Sequence, residues 1–315
     1  MAKTTYVTFD PAGSIQTYAY YLNADLQIAG DWEDYLETYH GFVRAADGTI
    51  STFDPPNSID TEVGGLTDSG LIVGWYTAAD RSQHGFLRAS DGTISIYDVP
   101  GSAGPTYIDA VNTKGTFAGS YADGSGAFPG FVQTSKGKLR RFNVNGAVEV
   151  DPRSINNAGA ITGIYYDQQS NIHGFVRSDQ GAISTFDWPG AVRTIPNAIN
   201  SKDVIVGRYQ GADRVPHGFI RIADGTLTAL DHPDGVKGTS IANINDKGQI
   251  VGTFIDANGQ YHGFIRSATG QFKNFDLKNA TGTYAADIDG NGSIVGEYSD
   301  ENQYLHGYLR TSSKR

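Results

Sequence analysis

Histidine and aspartate recur in this sequence at positions that could support acid–base chemistry. The tripeptide His-Gly-Phe begins at His40 and returns four more times, and His306 begins His-Gly-Tyr. An aromatic residue followed by Asp, as in Phe53-Asp54, recurs in step, and a hairpin would place Phe42 opposite Phe53 and His40 beside Asp54. Such pairs can transfer protons, but residues that recur in every unit usually build the fold. We interpret them as structural hydrogen bonds, worth on the order of 1.5–3 kcal/mol each.

The one unit without this histidine supports the structural interpretation. Pro129 replaces His there and Asn143 replaces Asp, so both partners are lost together. His232, between Asp231 and Asp234, is the single histidine outside the repeat. It could be a general base flanked by carboxylates, and the alternative is an exposed loop residue. The sequence has no cysteine and no Gly-x-Ser-x-Gly, His-Glu-x-x-His or phosphate-loop motif.

Seven units of similar length carry these residues. Their tripeptides start at positions 40, 84, 129, 173, 217, 262 and 306, so successive units are 44 or 45 residues apart. Each unit also contains a block related to Ile-Asn-x-x-Gly-x-Ile-Val-Gly-x-Tyr, clearest from Ile244 to Phe254. Asn and Gly predict one hairpin in this block, and Asp-Gly-Thr turns such as the one at Asp47 predict a second. Each unit is therefore expected to form four antiparallel strands.

Four-stranded antiparallel units that repeat every 40 to 50 residues or so, roughly the spacing found here, are typical of β-propellers. The sequence therefore predicts an all-β fold, a seven-bladed propeller formed by residues 1–315 as a single domain. Thr4 to Asp10 is a fourth strand without a blade, and His306 to Arg310 is a third strand without a fourth. We expect the N-terminal strand to complete the last blade and close the ring.

The charge balance excludes some classes of partner. The chain has 24 basic and 34 acidic residues and a net charge of -10, so it would repel nucleic acid and anionic lipid. Its apolar runs are far shorter than the roughly 20 residues of a spanning helix, and residues 1–30 lack a signal-peptide pattern. We expect no nucleic-acid partner, no membrane insertion, no signal peptide in this chain and no cofactor. Asp287 to Gly292 resembles half of a calcium loop, but its register with the other hairpin turns predicts a turn and no metal site.

Function is expected where the units differ, around the mouth of the central channel. A Thr opens the innermost strand of nearly every unit, and the next residue and the residue two places further on vary among units. Tyrosines, carboxylates and an arginine at these positions would suit a small polar ligand such as a glycan. The predicted ligand-binding residues are Tyr18, Glu62, Tyr107, Asp109, Asp151, Arg153 and Tyr284.

Three functions are compatible with the sequence. The first is a ligand-binding propeller, lectin-like and specific for carbohydrate, with its site at the channel mouth or between blades. The second is an enzyme, a lyase or hydrolase, that uses groups such as Tyr107, Asp151, Arg153 or His232 at the channel mouth. The third is a scaffold for protein interactions. Because the mouth residues differ among units, we favour one asymmetric site, and we favour binding because no activated nucleophile is visible.

The order of the motifs resembles a known repeat family. From His173 to Gly190 the chain carries His-Gly-Phe-x-Arg followed by Phe-Asp-x-Pro-Gly, and Ile199 to Tyr209 carries Ile-Asn and Ile-Val-Gly-x-Tyr. These motifs resemble the bacterial extracellular repeat family named for a His-Ala-Phe tripeptide (HAF-type), with Gly as the middle residue here in all seven units. The resemblance covers essentially the whole chain. It implies a secreted or cell-surface propeller and carries over no catalytic residues.

Overall fold

The computed structural model describes residues 4–312, and the regular elements in this range are 28 β-strands, numbered β1 to β28 in chain order. The prediction of an all-β chain built from four-stranded antiparallel sheets is confirmed. Over residues 4–312 the chain has no helix whose length and apolar character would let it cross a membrane.

Each repeat unit contributes four strands. The first, innermost strands are β2 (Gln16–Leu22), β6 (Ser58–Leu66), β10 (Thr106–Val111), β14 (Ala147–Ile155), β18 (Arg193–Ile199), β22 (Gly238–Ile244) and β26 (Gly282–Ile288). The second strands are β3 (Ile28–Glu33), β7 (Ile72–Ala78), β11 (Phe117–Tyr121), β15 (Ile161–Asp167), β19 (Ile205–Gln210), β23 (Ile250–Ile255) and β27 (Ile294–Ser299).

The two outer strands complete each sheet. The third strands are β4 (Tyr39–Arg44), β8 (Gln83–Arg88), β12 (Gly130–Gln133), β16 (Ile172–Arg177), β20 (Pro216–Arg221), β24 (Tyr261–Arg266) and β28 (Leu305–Ser312). The fourth strands are β5 (Ile50–Phe53), β9 (Ile94–Tyr97), β13 (Leu139–Phe142), β17 (Ile183–Phe186), β21 (Leu227–Ala229), β25 (Phe272–Phe275) and β1 (Thr4–Phe9). Unit 1 is thus β2 to β5, and unit 7 is β26, β27, β28 and β1.

The N-terminal strand belongs to the sheet of the C-terminal unit. β1 pairs antiparallel with β28 from Thr4 opposite Ser312 to Phe9 opposite Gly307, which is the pairing that the phase of the termini predicts. Phe9 then packs with Phe42 of unit 1 in one buried apolar cluster that also contains Leu309. Burial of each such side chain stabilises the fold by about 1.5–3 kcal/mol, so the first and last units are held together by core contacts.

The outer hairpin is shifted by one residue from the predicted register. Gly41 lies opposite Phe53, and Phe42 lies opposite Thr52, so the prediction that Phe42 faces Phe53 is wrong. The Phe53 ring covers Gly41 so closely that a Cβ atom there would lie 2.6 Å from the ring, while Phe42 is fully buried in the core. This close approach explains the glycine in the middle of the His-Gly-Phe tripeptide.

Every innermost strand contains a bulge at the same place. In unit 1 Ala19 pairs with Gly30 and Tyr21 pairs with Ala29, so Tyr20 has no partner in the ladder. A bulge bends the strand and redirects the unpaired side chain. A Cβ atom at Gly30 would lie 1.9 Å from the Tyr18 carbonyl oxygen, which explains the glycine of the block. The equivalent bulged residues of the other units are Gly64, Asp109, Arg153, Asn197, Ala242 and Ala286.

Candidate functional site

The innermost strands of all seven units surround one cavity of about 830 Å³, which we call the central cavity. The bulged residue of every unit lines it. Because the bulge turns this side chain out of the ladder, equivalent positions on seven strands converge on the same space. Their side chains range from glycine to tyrosine, aspartate and arginine. The cavity is therefore built symmetrically by the backbone and made asymmetric by the side chains.

Carboxyl groups from units 2 and 3 face the central cavity. Glu62 and Asp109 line it, and the fully buried Asp31 lies next to Glu62, with its Oδ1 accepting a hydrogen bond from the Val63 N–H at 2.8 Å. Burial raises the pKa of Asp31, and the charge of Glu62 raises it further. Burial raises the pKa of Glu62 as well, and burial with the charge of Asp151 raises the pKa of Asp109. These carboxyl groups hold their protons at higher pH than free ones do.

Arginines from the next two units face the same cavity. Arg153 of unit 4 pairs with Asp151, whose Oδ2 lies 3.2 Å from Nη2. Arg208 of unit 5 donates from Nη1 to Ser240 Oγ at 3.4 Å, and within residues 4–312 no carboxylate lies within 4.0 Å of its guanidinium. Burial lowers the pKa of Arg208, and the charges of Arg153 and Arg193 lower it further. Around the cavity, Glu62 and Asp109 of units 2 and 3 are followed by Arg153 and Arg208 of units 4 and 5, and Asp151 of unit 4 and Asp287 of unit 7 add two further carboxyl groups to the lining.

Four of the seven predicted ligand-binding residues line the central cavity. They are Glu62, Asp109, Asp151 and Arg153, and they come from three consecutive innermost strands. The local departure from the repeat at Asp151-Pro152-Arg153 therefore lies in the wall of the cavity. These residues were predicted because the amino acid at their positions varies from unit to unit.

The three predicted tyrosines lie outside the lining of the central cavity. Tyr18 packs against Tyr39, with ring centroids 5.9 Å apart, and Tyr284 packs against Tyr261 at 5.1 Å. Tyr107 donates from its hydroxyl to Gln83 Oε1 at 2.7 Å. The side chains of these tyrosines contact residues of neighbouring strands and do not line the central cavity. The tyrosines that line the cavity are Tyr20 and Tyr21, side by side on β2.

Arg208 is a charged residue of the cavity that was not predicted from the sequence. It lies on a second strand, between Gly and Tyr of the Ile-Val-Gly-x-Tyr block, and not on an innermost strand. The same position holds Asp31 in unit 1 and Glu297 in unit 7. Burial raises the pKa of Glu297, and the backbone N–H of Ala19 in unit 1 opposes this effect, while Asp31 Oδ1 accepts a hydrogen bond from the Val63 N–H of unit 2. The variable residue within the otherwise regular Ile-Val-Gly-x-Tyr block was the sequence signal for these side chains of the second strands.

An apolar ring marks one end of the central cavity. A second cavity of about 360 Å³ adjoins it, and Leu66, Val111 and Ile155 line both. The residue that opens the Ile-Asn block lines the second cavity in every unit. The members of this ring are Leu22, Leu66, Val111, Ile155, Ile199, Ile244 and Ile288. A polar ligand in the central cavity would therefore contact apolar side chains at this end.

The repeated histidines lie in hydrogen-bonded clamps and not in the lining of the central cavity. In each of the six histidine-containing units, Nδ1 lies 2.8–3.0 Å from the carboxylate of the aromatic-Asp pair. Each imidazole also stacks on the aromatic residue that ends the Ile-Val-Gly block, at centroid distances of 4.5–5.6 Å. The predicted His–Asp contacts are present, and the aromatic residue is their third member.

His232 is neither exposed nor at the central cavity, so the prediction of an exposed loop residue is wrong. Its ring stacks on Phe254 at 3.8 Å, and its Nε2 lies 2.7 Å from Asn274 Oδ1. Only 4% of its surface is exposed, because it fills the gap between two units. Burial lowers the pKa of His232, although Asn274 and Asp234 oppose this effect. A role as general base in the central cavity is therefore not available to it.

Asp287 to Gly292 forms the predicted turn. Asp289 Oδ1 accepts hydrogen bonds from the backbone N–H groups of Asn291 and Ser293, at 2.7 and 2.8 Å. In the part of the chain that the structure describes, no three histidine or carboxylate side chains are grouped so that they could hold a metal ion.

No protein-family model matches the chain, and no curated protein sequence matches it. Solved structures match it along nearly its whole length. A streptogramin B lyase is 13% identical, with a TM-score of 0.65, and the match covers 98% of each chain. The β-propeller domain of the Trilobed protease from Pyrococcus furiosus is 7% identical, with a TM-score of 0.61 over 95% of this chain and 98% of that one.

The fold is a β-propeller. A virginiamycin B lyase from Staphylococcus aureus also matches, at 15% identity and a TM-score of 0.63 over 99% of this chain and all of the lyase. The Pyrococcus propeller is described as having an open velcro topology, whereas in this β-propeller β1 pairs with β28. At such low identities the likeness concerns the fold alone. The function of this β-propeller has to be argued from its own central cavity.

Proposed function

We propose that the chain forms one seven-bladed propeller domain that binds a single small polar ligand in the central cavity. Seven innermost strands around one cavity support the blade count, and the pairing of β1 with β28 supports closure of the ring. The seventh interface has the same character as the others. Asp287 Oδ2 of unit 7 accepts a hydrogen bond from the Leu22 N–H of unit 1 at 2.9 Å.

The observation that carries the proposal is that carboxyl groups and arginines both line the central cavity, with Glu62 and Asp109 on two neighbouring units and Arg208, which has no carboxylate partner within residues 4–312, on another. Glu62 and Asp109 would receive the basic or hydrogen-bond-donating part of a ligand, and Arg153 and Arg208 would receive an acidic or accepting part. A zwitterionic or similarly bipolar molecule matches this arrangement. Since no two units present the same side chains, one ligand per chain is expected, and a multivalent lectin is disfavoured. A glycan is one class of polar ligand that the proposal includes.

An enzyme, a lyase or hydrolase, is the second candidate, and a specific observation favours it. The pKa values of Glu62 and Asp109 are raised by burial, so either carboxyl group holds its proton at higher pH than a free one and could act as a general acid. Arg153 lies close enough to Asp109 to lower its pKa in turn, and its guanidinium could stabilise negative charge that develops on a substrate. The enzyme candidate is also supported by matched structures of similar fold that are named as lyases.

Membership of the HAF-type repeat family and location outside a bacterial cell are further parts of the proposal. They are supported by the motifs between His173 and Tyr209 and by their repetition along the chain.

Isothermal titration calorimetry with amino acids, dipeptides, sugars and sugar acids would test the binding proposal. We expect one site per chain. Glu62→Gln and Arg153→Gln should each weaken binding of a bipolar ligand by roughly 10-fold or more, because a charged hydrogen bond contributes about 1.5–3 kcal/mol. Asp25→Asn, on an exposed turn, is the matched control and should bind as the unaltered protein does.

Either of two results would contradict the proposal. Several equivalent sites per chain would point to grooves between blades, and affinity unchanged in both charge variants would place the ligand outside the central cavity. Product formation in the same mixtures, lost in Glu62→Gln or Asp109→Asn, would favour the enzyme over the binding protein.

A further inference from the structure

A side cavity opens from the central cavity between units 5, 6 and 7. We call it the annex. Its volume is about 350 Å³, and Arg208, Ser240, Ala242 and Ala285 line both it and the central cavity. Residues that line the annex alone are Gln210, Pro216, Gly238, Thr253, Ile255, Tyr261 and Tyr284. A ligand in the central cavity could therefore extend into the annex without crossing the protein backbone.

Small side chains in unit 6 create the annex. Ser240 occupies the position that holds Tyr18 in unit 1, and Ala242 occupies the position of the bulged Tyr20. The other units fill these positions with larger groups in most cases, as Asp151 and Arg153 do in unit 4. The space is thus a consequence of two substitutions within the repeat.

The walls of the annex are aromatic and apolar. Tyr261 and Tyr284 pack together with ring centroids 5.1 Å apart and planes inclined by 43°. Tyr261 is 40% exposed, so much of its ring is open for contact, and Pro216 and Ile255 add apolar surface. Aromatic rings prefer tilted or offset neighbours, and such pairs contribute beyond the area they bury.

Arg208 stands where the annex meets the central cavity. Its one hydrogen bond within residues 4–312 is a long one to Ser240 Oγ at 3.4 Å. Its guanidinium is half-buried beside Arg153, and a cation in such surroundings gains most from an anion that can accept two parallel hydrogen bonds. A carboxylate has that geometry.

We propose that the ligand is an aromatic carboxylate, with its carboxylate on Arg208 and its ring in the annex against Tyr261 and Tyr284. This inference rests on the proposed function, because the annex adjoins the central cavity and shares Arg208 with it. It narrows the ligand class from bipolar molecules in general to those with a planar apolar part next to an acidic group.

Calorimetry with four probes tests the ligand class. Benzoate and 4-hydroxycinnamate combine a ring with a carboxylate, hexanoate has the carboxylate without a ring, and benzylamine has the ring with the opposite charge. We expect the two aromatic carboxylates to bind roughly 10-fold or more tightly than hexanoate or benzylamine. Equal affinity for hexanoate and benzoate would overturn the inference.

Variants test the location. Ser240→Tyr restores the side chain of the unit 1 position and should fill the annex, reducing the affinity for 4-hydroxycinnamate by roughly 10-fold or more. Ser51→Tyr, on the exposed face of β5, is the matched control and should change nothing. Arg208→Gln should abolish the preference for carboxylates, and Tyr284→Ala should abolish the preference for aromatic rings. Unchanged binding in these variants would overturn the inference even if Ser240→Tyr fails to fold.

The two proposals fail in different ways. If amino acids or sugar acids bind with dependence on Arg153 while no aromatic carboxylate is preferred, the inference alone is wrong. If no probe of either panel binds at millimolar concentration, both proposals are wrong.

Discussion

His173 and His232 show how two identical side chains acquire opposite properties in this propeller. His173 lies between two carboxylates, with Nδ1 2.8 Å from Asp187 and Nε2 3.4 Å from Asp167. Burial alone would lower the pKa of His173, but the hydrogen bonds and charges of Asp187 and Asp167 outweigh it and raise the pKa. Burial against Phe254 instead lowers the pKa of His232. The surroundings of His173 thus favour its charged form, and those of His232 favour its neutral form.

The two histidines should therefore contribute to stability at opposite ends of the pH range. The contribution of His173 is present below its unfolded pKa, about 6.5, and is lost as the pH rises through its higher folded pKa. The contribution of His232 is present above about 6.5 and is lost as the pH falls toward its lower folded pKa. We expect His173→Gln to destabilise the protein more at about pH 5.5 than at about pH 8.5, and His232→Gln to show the reverse. Urea denaturation at both pH values measures this, and identical pH profiles would contradict it.

At the scale of elements, the inner hairpins are tied to one another by asparagine side chains. Asn112 Nδ2 donates to the Asn156 carbonyl of the next unit at 2.9 Å, and Asn156, Asn200 and Asn245 continue the series. Their Oδ1 atoms cap the N–H groups of their own turns, as Asn245 Oδ1 does at Lys247 and Gln249. One amide thus holds a turn and joins two units, which explains the Ile-Asn motif.

Asp289 interrupts this series and predicts a stabilising substitution. Its Oδ1 caps the turn like the asparagines, but its Oδ2 is buried without a hydrogen-bond partner in the described residues. Asp289→Asn would replace that oxygen with an N–H donor, which in the five units that have asparagine at this position reaches a carbonyl of the next unit. We expect the free energy of unfolding at neutral pH to rise by about 1–3 kcal/mol, the usual cost of an unsatisfied buried polar group.

The exposed Asp25→Asn is the control for this change, because it removes a negative charge without touching the series. Denaturant titration would measure both variants. An equal change in the two would show that the effect is one of net charge and not of the missing donor.

At the scale of the whole molecule, Asp10 joins the two ends of the chain. Its Oδ2 lies 2.9 Å from His306 Nδ1 on β28, and its Oδ1 accepts a hydrogen bond from Thr17 Oγ1 of unit 1 at 2.6 Å. Each clamp elsewhere joins residues of a single continuous unit, as His40 and Asp54 do. The clamp of Asp10 therefore joins the two ends of the chain, because it holds β1 in the sheet of unit 7.

Asp10→Ala should consequently lower the stability by about 1.5–3 kcal/mol, the contribution of hydrogen bonds to a charged group, whereas Asp25→Ala should have little effect. Differential scanning calorimetry of both variants measures the difference. Equal melting temperatures would show that the clamp adds nothing to the backbone pairing of β1 and the core contacts of Phe9.

The sequence predicted the elements well and the site in part. Its period predicted four strands per unit, and the joint loss of His and Asp at Pro129 and Asn143 predicted the clamps. The predicted register of Phe42 was wrong by one residue. The ring of Phe53 was expected opposite Phe42, but it lies over Gly41. His232 was expected on the surface because its aromatic neighbour Phe254 belongs to another strand.

What the sequence determined by itself is the part of the molecule that repeats. Strand period, turn residues and clamp partners are local, and seven copies reinforce the same pattern. The tertiary structure alone decided which side chains share the central cavity. Arg208 comes from the second strand of its unit, whereas Asp109 comes from the innermost strand of its unit. The bulges turn side chains of the innermost strands toward the central cavity. The rings of Tyr18, Tyr107 and Tyr284 instead contact residues of neighbouring strands. Such choices depend on contacts between units, which no single unit of the sequence contains.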